Sequence, residues 1–167
     1  MPSVHRSVTR LGLALIVFAL PHTLSAQAQS LAGTWTLNAA KSKFEPADLA
    51  TKSSTSTYTF SGTSVSVKVD QVNAKGQKVH VEYTAPLDGK DGMWKGTIDG
   101  KPNMNQDGVT FKKLDANTYH VENKLKGKVM TTNHIVVAAD GKSRMSTTDG
   151  TNADGKKIHN VAMYEKK

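Results

Sequence analysis

The stretch Leu31–Asn38, Leu-Ala-Gly-Thr-Trp-Thr-Leu-Asn, decides how the rest of the chain is read. Gly33, Trp35 and Leu37 share one phase of a two-residue period, and Thr34, Thr36 and Asn38 share the other. Side chains alternate between the faces of a strand, so this is a strand with one apolar face. An indole on that face plugs the floor of a core, and Gly33 clears room for close backbone approach. A buried Trp on an edge strand would produce the same short Gly-x-Trp run. The sequence on either side decides between them.

Upstream, Arg6 and Arg10 precede the apolar run Leu11–Leu20, which is too short to span a bilayer, and Ala26-Gln27-Ala28 supplies small residues at both positions a signal cleavage needs. Residues 1–28 are therefore expected to be an export signal, cut before Gln29. Residues 29–167 are expected to form one domain, periplasmic or extracellular and monomeric. The chain has no Cys, so neither a disulfide, a lipid-modified Cys nor a Cys-based metal site can hold it. Two of the 22 basic residues fall in the signal, leaving 20 against 14 acidic ones, a charge of about +6. The lysines are spread through alternating segments and mixed with aspartates in turns. That is a solvated surface rather than a nucleic-acid-binding stripe, and no membrane insertion is expected after cleavage.

Downstream, Pro46 can open a single helical turn through Leu49. From Ser53 onward the pattern is strand, turn, strand. Tyr58 and Phe60 share a phase. So do Val65, Val67 and Val69, and then Val79, Val81, Tyr83 and Ala85. Trp94 and Ile98, Val109 and Phe111, and Tyr119, Val121, Asn123 and Leu125 follow, then Val129–Val137, a strand carrying Met145 and Thr147, and a last strand Lys157–Lys166. Short Gly-containing turns separate them, which requires antiparallel neighbours. The fold class is therefore all-β. The expected architecture is an antiparallel up-and-down barrel of about 8–10 strands, since closure removes the edges of so long a meander. A two-sheet sandwich would need a long Greek-key connection, and none is visible. One repeat stands out. Asp70, Asn73, Ala74, Gly76, Lys78 and His80 recur at constant offset as Asp149, Asn152, Ala153, Gly155, Lys157 and His159. Each set spans a turn and the start of the next strand, so the repeat reports architecture.

Gly33-Thr34-Trp35, the all-strand meander and the ending Tyr164-Glu165-Lys166 together resemble the calycins, the superfamily of lipocalins and fatty-acid-binding proteins. Gly33–Phe44, Glu82-Tyr83-Thr84, Asp88–Asp91 and Asn160–Tyr164 are similar to small secreted bacterial proteins described as lipocalin-like, over essentially all of residues 29–167. The resemblance implies a barrel whose interior can hold a small apolar molecule, with the first-strand Trp at the closed end. Fatty-acid-binding proteins place an Arg two positions before the C-terminal Tyr to meet a ligand carboxylate. Here Tyr164 matches and Ala162 replaces the Arg.

The chain contains no nucleophile elbow, zinc-protease helix, phosphate loop or dinucleotide fingerprint. It is expected not to be an enzyme, and neither cofactor nor metal is expected. His80, His120 and His159 lie opposite the apolar face. A metal held by His80 and His159 would need their strands adjacent and a third ligand. The candidate ligand-binding interior is Trp35, Tyr58, Phe60, Tyr83, Trp94, Phe111, Tyr119, Asn133, Asn160 and Tyr164. Two functions stay open. One is a secreted or periplasmic carrier that binds or sequesters a small apolar ligand inside the barrel. The other is an interaction or envelope-associated module with a filled interior and a basic exterior. Lys68, Lys78, Lys124 and Arg144 fall in the outward phase, leaving Lys113, at the end of its strand, as the one cation near the interior. A neutral or weakly polar ligand is therefore expected, because a desolvated carboxylate would lack a counter-ion.

Overall fold

The computed structural model describes residues 30–167, so the export signal assigned to residues 1–28 lies outside the described residues. The strands are β1 (Gly33–Glu45), β2 (Ser53–Ser61), β3 (Ser64–Val72), β4 (Lys78–Pro86), β5 (Asp88–Ile98) and β6 (Lys101–Pro102). They continue as β7 (Gly108–Lys113), β8 (Thr118–Leu125), β9 (Lys128–Val137), β10 (Ser143–Thr151) and β11 (Lys157–Lys166). A 3-10 turn, Ala47–Leu49, follows β1. Every pairing is antiparallel. Sequence neighbours pair around the ring and β1 closes it against β11, with the two-residue β6 attached to β5. This is the up-and-down barrel expected from the meander, with ten strands in the ring.

The first strand runs further than its sequence suggested. It passes through a bulge between Asn38 and Lys43, where the register with β11 shifts. Side chains satisfy the loosened backbone: Lys41 N–H donates to Asn38 Oδ1, Ser42 Oγ donates to the Asn38 carbonyl, and Met163 N–H donates to Ser42 Oγ. A polar stretch thus continues as strand because its own Asn and Ser replace the ladder bonds that a bulge breaks.

Apolar side chains concentrate at the end of the barrel where β1 begins and β11 finishes. Leu31, Trp35, Val65, Phe111, Tyr119 and Ile135 are fully buried there. The rings of Phe60, Phe111 and Tyr119 meet with centroids 5.7 to 6.5 Å apart. Trp35 Nε1 donates to the Leu31 carbonyl at 2.9 Å, which satisfies its one polar atom inside the core. Lys166 Nζ lies 5.2 Å from the Trp35 ring centroid, and a Cβ on Gly33 would fall 2.9 Å from Lys166 Cε. Gly33 therefore clears room for a side chain and not for a neighbouring backbone.

The repeated segments form equivalent hairpins, β3–β4 and β10–β11. In each, the Asn side chain accepts a backbone N–H from the residue four positions on, and a glycine with φ near +80° completes the turn. In each, His Nδ1 meets the cross-strand Asp at 2.6 Å. β7 pairs with β5 only at Asp88, Asp91 and Gly92, on the closed-end side of the wall, and toward the open end this pairing stops. Beyond Gly92 the wall is completed by β6 and the segment after it, where Asn103 N–H donates to the Gly96 carbonyl and Asp107 N–H to the Lys124 carbonyl.

Candidate functional site

Above the closed-end core lies a cavity of about 350 Å³. Its walls are mixed. Tyr58, Tyr83 and Tyr164, four valines and Ile135 supply the apolar surface, while Gln71, Asn103, Gln106, Asn123, Asn133 and Asn160 supply amides. Asn103 and Gln106 reach it because the segment that completes the wall beside β5 runs across the open end. There Gln106 Nε2 donates to Asn123 Oδ1 at 2.9 Å, and Asn123 Nδ2 donates to Thr131 Oγ1 at 3.0 Å.

The floor carries a cation. Arg144 is only 3 % exposed and lines the cavity, which corrects the outward placement read from the sequence. The strand phase is the cause. In β10 the residue Met145 is 38 % exposed while Arg144 and Ser146 are buried, so Met145 and Thr147 face outward. Arg144 stands opposite Val137 of β9 and Tyr164 of β11, and Ser146 stands opposite Ile135 and Ala162. Those neighbours are held by their own buried side chains. Paired residues share a face, so in this register Met145 could turn inward only if both neighbouring strands turned their apolar sets outward. One weakly amphipathic strand cannot outweigh two strong ones.

The guanidinium carbon lies 3.7 Å from the Tyr164 ring centroid, 5.4 Å from that of Tyr58 and 5.6 Å from that of Trp35. One terminal nitrogen donates to Ser146 Oγ and the other to Ser56 Oγ at 2.7 Å, while Nε has no hydrogen-bond partner among the described residues. Among the described residues, no carboxylate lines the cavity. Tyr58 and Tyr83 do not supply the missing charge. Burial pushes the Tyr58 hydroxyl up from its ordinary value despite the opposing Arg144, and burial pushes Tyr83 well above its own. Both stay neutral at physiological pH, so among the described residues Arg144 is a desolvated cation contacted by hydroxyls and ring faces.

Of the residues assigned to the interior from sequence, Tyr58, Tyr83, Asn133, Asn160 and Tyr164 line the cavity. Trp35, Phe60, Phe111 and Tyr119 are packed below it in or against the closed-end core. Trp94 lies along its own strand over Gly96, where a Cβ would approach its ring to 2.7 Å, and does not line the cavity. Lys113 does not line it either. Arg144, Ser56, Ser146 and Gln106 were missed. Ser56 could have been found, since it shares the inward phase of Tyr58 and Phe60. Outside the barrel, His80 is on β4 and His159 on β11, with β3, β2 and β1 between them, so they do not share a site. Among the described residues there is no group of three or more side chains suited to hold a metal.

No protein-family model and no curated protein sequence matches the chain. Among solved structures, the chain is similar to a redesigned β barrel, mFAP1, bound to DFHBI. The TM-score is 0.40 at 13 % identity, over 85 % of this chain and 100 % of that one.

Proposed function

We propose that this protein is an exported binding or sequestering barrel that holds a compact organic anion, such as a carboxylate, in its interior with the charge on Arg144. The observation that carries the reading is the buried guanidinium with no carboxylate in the cavity around it. A desolvated, unneutralised cation costs several kcal/mol, and two neutral hydroxyls and stacked rings return only part of that. An anion entering the cavity recovers the remainder. The neutral ligand expected from sequence rested on an interior without cations, and Arg144 removes that premise. A filled, non-binding barrel is disfavoured by a cavity of about 350 Å³ with polar walls. The polar lining also favours a small ring-bearing acid over a long acyl chain.

Isothermal titration calorimetry of cinnamate beside its methyl ester tests this. The wild type should bind the carboxylate at least about tenfold more tightly, one charge-assisted contact's worth, and Arg144→Met should abolish the difference. Equal affinity for acid and ester, or no binding of either, would overturn the proposal.

A further inference from the structure

We propose that the cavity selects anions carrying a hydrogen-bond donor away from the charge, and that Asn133 reads this donor. This would be a hydroxy- or amino-substituted carboxylate, a reading that rests on the anion site proposed above. Asn133 Oδ1 is buried and has no hydrogen-bond partner, although the residue lines the cavity. The neighbouring amides differ. Asn123 accepts from Gln106 and donates to Thr131, so that pair is committed to itself. Asn133 alone of the two leaves an acceptor aimed at no protein donor.

Placement makes the two unmet groups complementary. Asn133 stands opposite Thr148 of β10, four residues toward the open end from Arg144 on the same strand. Four residues of strand rise are about 13 Å, and the Arg144 guanidinium, bonded to Ser146 two residues along, takes up part of that separation. A rigid molecule with an acid at one end and a hydroxyl at the other side of an aromatic ring spans the rest. Buried acceptors without partners discriminate strongly against ligands lacking the donor, because such a ligand leaves the acceptor desolvated and unpaired.

The probes are cinnamate, its 3-hydroxy and 4-hydroxy derivatives, and 4-methoxycinnamate, titrated into the folded protein. One hydroxy isomer should bind about tenfold more tightly than cinnamate, and the methoxy compound, of similar size but without a donor, should gain nothing. Asn133→Leu should erase the hydroxyl preference, bringing the ratio of hydroxycinnamate to cinnamate affinity to about one. Asn133→Val, smaller, suited to a strand and without an acceptor, gives the same comparison if the Leu variant does not fold. If wild type binds all four carboxylates alike, or either variant keeps the preference, Asn133 does not read a donor and the anion site stands alone. If no carboxylate binds, both readings fall.

Discussion

Trp35 and Arg144 lie on opposite sides of what a sequence can disclose about a single residue. Trp35 is fully buried with its indole N–H satisfied by Leu31. Trp35→Ala should therefore destabilise the fold by about 3–5 kcal/mol in denaturant unfolding. A loss under about 1 kcal/mol would mean that the ring does not organise the closed end. That residue was legible because an apolar ring on an alternating strand has one place to go. Arg144 was not legible, because its phase is set by Ile135, Val137, Ala162 and Tyr164 across two ladders and its own neighbour Met145 argues the other way. Buried polar residues defeat pattern reading for this reason: the physics that places them belongs to other strands.

At the scale of elements, the turns were the most readable feature and the bulges the least. The duplicated Asp–Asn–Gly–His hairpins could be aligned from sequence because each position has one job, a turn acceptor, a positive-φ glycine or a cross-strand partner. The bulge in β1 left no apolar period to follow. Close approach between β9 and β10 was equally hidden. A Cβ on Gly150, whose φ is +144°, would sit 2.2 Å from the Met130 carbonyl oxygen. Gly150→Ala should cost more than about 1 kcal/mol, and a neutral result would mean that the strands can separate there. The outer wall offers a test with a sign. Glu82 faces Lys68 on β3 and Lys95 on β5. Hydrogen bonds to Lys95 and then Lys68 lower its carboxyl to about 2. A carboxylate lowered on folding stabilises the native state above its unfolded value of 4.5. That stability is lost as pH falls toward 2. Exposure and salt screening keep the effect small. Glu82→Gln should thus be less stable than wild type at pH 6, and the two should converge by pH 2. A gap that persists unchanged at pH 2 would assign the effect to packing rather than charge.

For the whole molecule, a closed meander of ten strands leaves an interior that the closed-end aromatics fill only partly. Short glycine turns made the barrel legible, since they admit only antiparallel neighbours. The division of the interior into a packed floor and a polar cavity depends on which inward residues fall at which height, and alternation carries no information about height. The central claim is that Arg144 is a cation the protein does not neutralise. The most direct test is the melting temperature of wild type and Arg144→Met at low ionic strength, each with and without an excess of cinnamate. Without ligand, the variant should melt close to or above wild type, because removing an unpaired buried charge relieves its desolvation cost. The carboxylate should raise the melting temperature of wild type only, since stabilisation follows binding to the folded state. A variant melting more than about 8 °C lower, with neither protein responding to the carboxylate, would make Arg144 a packing residue of the core and contradict the account.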